Sequence, residues 1–151
     1  MIATPANPEF AATDPVVVKL MLDIIHPTKS DILFDLGCGD GRIVIEAART
    51  YGCRAVGVEI NPLQAAAADI NVFRAGVEDR VLIRNHDIMD ETLLSSATIV
   101  VMYLYPDLIK QIMPLLGNAD TIVSISHQMP RVKQTRYICG STDVFVFRKG
   151  K

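Results

Sequence analysis

The sequence predicts a single α/β domain: a doubly wound sheet of seven strands, mostly parallel, closed by an antiparallel β-hairpin. Three observations carry that prediction. Short apolar runs alternate with segments of helical period, the pattern of a parallel sheet covered on both faces. The first run leads straight into glycines at every second position, "LFDLGCGDGR" at 33–42. The tail breaks the alternation, because "QTRYIC" and "DVFVFRK" flank "GST" and read as a hairpin.

The elements follow in order. "TDPVVVKLMLDII" (13–25) reads as a helix, with Thr13 or Asp14 as cap, Pro15 in its first turn and Pro27 beyond its end. "DILFDL" (31–36) is a buried strand and "DGRIVIEAARTYG" (40–52) a helix that Gly52 stops. "RAVGVEI" (54–60) is the second strand, and "NPLQAAAADINVFRA" (61–75) a helix capped by Asn61. "RVLIRN" (80–85) and "ATIVVMYLY" (97–105) are the third and fourth strands, with a helical turn in "DIMDETLLSS" between them. "PDLIKQIMPLL" (106–116) is a helix that Pro114 kinks, and "DTIVSIS" (120–126) the fifth strand. Right-handed crossovers wind such a chain onto both faces of the sheet.

Composition narrows the function classes. Half of the 151 residues are hydrophobic, which excludes a disordered chain. The longest apolar run, 97–105, is less than half the roughly 20 residues that a membrane helix needs. The first fifteen residues lack a basic stretch followed by an apolar one, so no signal peptide is expected and a cytoplasmic location is. A net charge of −2 argues against a broad nucleic-acid surface. The cluster Arg131, Lys133, Arg136, Arg148, Lys149 and Lys151 reads first as a solvated sheet edge. Cys38, Cys53 and Cys139 form no CxxC pair and read as reduced and structural. His26, His86 and His127 lie far apart, and no metal site is expected.

The glycine loop stands where doubly wound sheets bind ligands, beyond the carboxyl end of a strand. Gly37 and Gly39 permit a backbone approach that side chains would block. Dinucleotide folds use GxGxxG and seat a pyrophosphate there. Here Gly37, Gly39 and Gly41 give GxGxG, with Asp35 before the loop and Asp40 within it. At an effective dielectric of ~20, a carboxylate ~4 Å from a unit charge shifts the energy by up to ~4 kcal/mol. The sign opposes pyrophosphate and favours S-adenosyl-L-methionine, which carries an ammonium and a sulfonium. Glu59, ending the second strand, is placed to accept both ribose hydroxyls. Asp87, after the third strand, can accept from an adenine amine while the Ile88 amide donates to the ring.

With "DLGCGDG", "GVEINP" and "NHDI" in order, the chain resembles the class I S-adenosylmethionine-dependent methyltransferases over essentially its whole length. "FDLGCGDGRIVIEAA", "AVGVEINP", "IVVMYLYPDL" and a late "SISH" look more narrowly like small archaeal and bacterial protein-lysine methyltransferases. These are related to the seven-strand histone H3 lysine methyltransferase and to the ATP-synthase c-subunit lysine methyltransferases. The resemblance implies a Rossmann-like sheet and a cofactor site formed by Thr13, Asp35, Gly37, Cys38, Gly39, Gly41, Glu59, Ile60, Asp87 and Ile88. It also implies a strand-end aromatic beside the reacting methyl, here Tyr103, with Tyr105 the alternative. The relatives' Ser-His becomes Ser124-Ile125-Ser126-His127 here, one residue out of register, and "QMPRVKQ" replaces their aromatic-rich segment. The (D/N)PP(Y/F) motif of base- and glutamine-methylating enzymes is absent, and "MYLYP" occupies its place.

The expectation is therefore methyl transfer to the side-chain amine of a protein lysine, with Tyr103 as the catalytic residue. Freeing an amine of pKa near 10.4 at pH 7.4 costs about 4 kcal/mol, part of which an apolar channel supplies. Little sequence remains outside the core to close a pocket. Residues 1–12 and the loop 127–134 are the candidate lids, and an open site suits a macromolecular side chain. Transfer to a small molecule or an RNA, and non-catalytic binding of the cofactor, stay as alternatives. The oligomeric state is not legible in the sequence.

Overall fold

The computed structural model describes residues 12–150. The candidate lid at 1–12 therefore lies, except for Ala12, outside the described residues, as does Lys151. Strands β1 (Ile32–Leu36), β2 (Arg54–Val58), β3 (Val81–Arg84), β4 (Ile99–Met102), β5 (Thr121–Ile125), β6 (Thr135–Cys139) and β7 (Thr142–Arg148) form one sheet in the order β3-β2-β1-β4-β5-β7-β6. β1 to β5 pair in parallel, and β7 runs antiparallel between β5 and β6. The expected doubly wound sheet with its hairpin finish is what the chain forms. Strand order reverses between β1 and β4, which opens a crevice at their carboxyl ends.

Helices cover both faces. α1 (Pro15–Ile25), α2 (Arg42–Glu46) and α3 (Pro62–Arg74) pack on one face through Met21, Leu22, Val44 and Val72. α4 (Pro106–Ile112) covers the other through Ile109 and Ile112 against Phe34, Val100 and Met102. Strand alternation assigns the side chains. Phe34 and Leu36 face α4, so Leu33 and Asp35 face α1 and α2. In β4, Ile99 and Val101 share that second face, and Tyr103 just beyond the strand continues it. One periodicity thus puts Asp35 and Tyr103 on the same side of the sheet.

Caps fix the helix starts. Asp14 accepts from the Val16 amide, and Asn61 from the amides of Leu63 and Gln64. The structure corrects three expected elements. The helix at 40–52 is α-helical only to Glu46 and widens into a π-turn over Ala47–Tyr51 before Gly52 ends it. That turn delivers Tyr51, whose hydroxyl donates to Asp23 and whose ring meets His26 edge-on. The helix at 106–116 is α only to Ile112 and finishes as a 3-10 turn over Met113–Leu115, because Pro114 has no amide to continue it. The fourth strand is Ile99–Met102, shorter than 97–105, so Tyr103 and Tyr105 stand in the loop above it. All three cysteines are buried and free. Among the described residues no helix is long and apolar enough to cross a membrane.

Candidate active site

The crevice above β1 and β4 holds a cavity of about 200 Å3 lined by Thr13, Asp35, the loop Gly37–Asp40, Arg42, Ile43, Gln64 and Tyr103. The loop after β1 forms its floor. The amides of Gly37 and Cys38 both donate to the Val58 carbonyl at the end of β2, at 2.8 and 3.0 Å. Gly37, Gly39 and Gly41 all take positive φ (89°, 54° and 86°), so the alternating glycines satisfy a backbone requirement. A side chain built on Gly39 would meet nothing within 4 Å. The loop therefore presents bare backbone to open space.

Glu59, buried at the end of β2, grips this loop. One carboxylate oxygen accepts from the Gly39 amide at 2.8 Å and the other from the Asn61 amide at 3.0 Å. Each oxygen keeps a lone pair for a further donor. Asn85 steadies the same turn by donating to the carbonyls of Glu59 and Ile60, at 2.9 and 3.0 Å.

Asp35 is 4% exposed and faces the cavity, and no hydrogen bond to its carboxylate arises among the described residues. Burial pushes its pKa well above the ordinary carboxylate range, and the negative charges of Glu59 and Asp40 add to the rise. Such an acid either keeps its proton or is balanced by a cation. Asp40 is different. Arg42 grips both its oxygens, Nε to Oδ1 at 3.1 Å and Nη2 to Oδ2 at 2.7 Å, which holds its pKa below the usual range. By sequence alone, Asp35 and Asp40 are two carboxylates open to a cation; in the structure Arg42 already occupies Asp40, and Asp35 keeps no hydrogen-bond partner among the described residues.

The remaining sequence-predicted residues divide. Thr13 and Tyr103 line the cavity, together with Gly37, Cys38 and Gly39. The Cys38 side chain is buried and packs over Gly57. Burial pushes its thiol pKa up. Gly41 is packed beneath the loop against Ala68. Glu59, Ile60, Asp87 and Ile88 lie outside the cavity, around the ends of β2 and β3. Ile60 is exposed, and the Ile88 side chain is buried in the α4-side core. Asp87 is exposed and caps a 3-10 turn through the Met89 amide, which occupies one of its oxygens. Behind it the buried Glu91 carboxylate holds Arg84 at 2.6 Å. Tyr105 and His127 stand at the ends of adjacent strands, ring centroids 6.1 Å apart.

Arg42 and Gln64 were not expected in the site, nor was Asn71, whose side chain donates to the Asp40 carbonyl at 3.0 Å. Arg42 carried a usable signal, since it stands two residues after a loop aspartate. Gln64 and Asn71 carried none, because only the packing of α3 brings them to the loop.

S-adenosylmethionine fits these residues. The unpartnered Asp35 suits its ammonium, the bare Gly37–Gly39 backbone its close-lying chain, and the spare lone pairs of Glu59 a pair of ribose hydroxyls. Comparison with known proteins agrees. Residues 35–136 match the ANTKMT methyltransferase domain. A protein-lysine N-methyltransferase of Saccharolobus islandicus is 39% identical over 108 residues, 71% of this chain and 66% of that one. An ATP-synthase c-subunit lysine N-methyltransferase of Xenopus laevis is 28% identical over 75% of this chain and 50% of its own length. The chain thus spans about two thirds of one of these relatives and half of the other. The crystal structure of an RNA methyltransferase from Salinibacter ruber, in complex with S-adenosyl-L-homocysteine, superposes with a TM-score of 0.85 at 36% identity, covering 91% of this chain and 92% of that one. The chain belongs to the ANTKMT methyltransferase-domain family, within the class I S-adenosylmethionine-dependent methyltransferases.

Proposed function

We propose that the protein transfers a methyl group to the side-chain amine of lysine in a protein substrate. S-adenosylmethionine supplies the activated methyl. In this reading Asp35 receives the cofactor's ammonium, and the backbone of Gly37, Cys38, Gly39 and Gly41 forms the bare floor on which it lies. Glu59 accepts the ribose hydroxyls, and Ile60 covers the nucleoside edge. The free oxygen of Asp87 and the Ile88 amide take the adenine, and Thr13 walls the methionine end. Tyr103, half-buried at the β4 end of the cavity, orients the acceptor nitrogen through its hydroxyl.

The charge of the cavity carries the choice of acceptor. Among the described residues its one arginine, Arg42, is committed to Asp40, and Asp35 is left to the cofactor's ammonium. Such a wall offers a phosphate backbone no free cation to grip, whereas a lysine side chain needs none. Of the C-terminal basic residues, Arg136 is paired with Asp143, and Arg148 donates to the Ile24 carbonyl. The names of the Saccharolobus and Xenopus relatives point the same way. The Salinibacter structure is described as an RNA methyltransferase, which keeps RNA as the second reading.

The test is incubation with methyl-labelled S-adenosylmethionine and a cell extract separated into protein, RNA and small-molecule fractions. Label recovered as methyl-lysine after acid hydrolysis of the protein fraction is expected. Label confined to RNA or to metabolites would overturn the lysine assignment.

A further inference from the structure

The Arg42 guanidinium reaches two elements at once. One edge grips both oxygens of Asp40 in the glycine loop, at 3.1 and 2.7 Å. Its remaining nitrogen, Nη1, donates at 2.8 Å to the backbone carbonyl of Thr13, the residue just before the Asp14 cap of α1. Thr13 and Asp40 are both walls of the cavity, and Arg42 is a third. From the far side, Asn71 of α3 holds the Asp40 carbonyl at 3.0 Å. The start of α1 is thereby strapped to a loop that α3 already fixes.

We propose that Arg42 is a positioning residue for cofactor binding: it holds the Thr13 wall against the glycine loop and so sets the width of the cavity between them. The inference rests on the cofactor assignment above and adds a residue that makes its contribution through Thr13 and Asp40. The shape of the guanidinium matters more than its charge. A planar fork satisfies a carboxylate bidentately and still has a nitrogen for the carbonyl. A lysine ammonium is a point charge on a flexible stem and cannot hold that three-way geometry. Arg42 and Asp40 side chains are each 36% exposed, so the pair itself adds little to global stability. Its main consequence is local order at the wall.

The experiment compares wild type, Arg42→Lys and Arg42→Ala by calorimetric titration with S-adenosylhomocysteine, by thermal unfolding of the cofactor-free chain, and by amide exchange in peptides covering residues 12–18. Arg42→Lys is expected to weaken binding by about tenfold and to speed exchange at 13–16, with the apo Tm moving by less than about 3 °C. Arg42→Ala should weaken binding at least as much. Wild-type affinity in Arg42→Lys would overturn the proposal, and so would an affinity loss that follows a matching fall in Tm and is restored by lysine. A wild-type chain that does not bind S-adenosylhomocysteine would overturn the cofactor assignment itself, and this proposal with it.

Discussion

Glu59 holds the Gly39 amide at 2.8 Å, so the acid proposed to bind the ribose also shapes the glycine loop. The two roles separate on substitution. Glu59→Gln keeps the volume but presents an NH2 group to one of two backbone amides, at Gly39 or Asn61, leaving one donor unsatisfied. A buried unsatisfied donor costs about 1–3 kcal/mol, and the ribose contact weakens as well. The expected outcome is a loss of S-adenosylhomocysteine affinity of at least tenfold for Gln and no measurable binding for Ala, read by calorimetry. Near-normal affinity in Glu59→Ala would remove Glu59 from the site.

Gly57 and Cys38 make a second contact that the loop depends on. A Cβ added at Gly57 would lie 2.7 Å from the Cys38 sulfur, 2.8 Å from its Cβ and 3.1 Å from Ile83 Cδ1. Gly57→Ala must therefore displace the loop or the strand, at a cost of about 1–3 kcal/mol. Both Tm and cofactor affinity should fall. Adding Cys38→Ala removes the sulfur contact and leaves the Cβ one, so a partial recovery of Tm is expected in the double variant. Strictly additive effects in that pair would show that the clash is absorbed elsewhere.

Gly39→Val tests the loop by its backbone. Nothing within 4 Å would meet the added Cβ, so crowding within the cofactor-free chain is not the cause of any loss of stability. The φ of 54° is, because a β-branched residue tolerates it poorly while Asn enters that region far more readily. Valine should lower Tm and abolish binding. Asn should leave Tm nearly unchanged yet still weaken affinity, because its side chain occupies the open face. Equal Tm losses for Val and Asn would contradict the backbone argument.

What the sequence made legible follows from periodicity and local signals. The apolar run into glycines was enough to place the loop at the end of β1, and Asn61 announced its cap, whereas the pairing of β1 with β4 that brings Tyr103 beside that loop is a tertiary fact. The π-turn at Ala47–Tyr51 was hidden, because its widening accompanies a contact between Tyr51 and Asp23, residues of two different helices. The pairing of Asp40 was missed for another reason. Opposite charges two residues apart pair only when the backbone turns between them, and here the turn at Gly41 brings Arg42 back onto Asp40. The reach of Arg42 to the Thr13 carbonyl has no sequence signature, since its acceptor is backbone that any residue would supply.

Asp35 gives a prediction in which stability and binding move in opposite directions. Burial and the charges of Glu59 and Asp40 raise its pKa in the folded chain, so between the unfolded value and that raised value the native state binds the extra proton. Stability of the cofactor-free protein therefore declines as pH rises from about 4 through the raised pKa. Asp35→Asn removes the buried charge. The variant should have a higher apo Tm at pH 7 than wild type and a flatter dependence of Tm on pH. It should lose S-adenosylhomocysteine affinity in the same samples. Lower apo Tm in Asp35→Asn, with an unchanged pH slope, would mean that the carboxylate already has a partner in the folded chain.

Tyr103 separates the chemical step from cofactor binding. It shares a sheet face with Asp35 and lines the same cavity, half-buried, on the β4 side of the crevice. Tyr103→Phe removes one hydroxyl and preserves the ring that packs on the core. If that hydroxyl orients the acceptor nitrogen, turnover should drop by about tenfold, equivalent to about 1.4 kcal/mol, while S-adenosylhomocysteine affinity stays within about twofold of wild type. The measurements are labelled methyl transfer into the protein fraction of an extract and calorimetry on the same preparation. A drop in affinity would make Tyr103 a wall of the cofactor pocket. Unchanged turnover would point to Tyr105, exposed two residues further along and beside His127, as the aromatic that meets the incoming side chain.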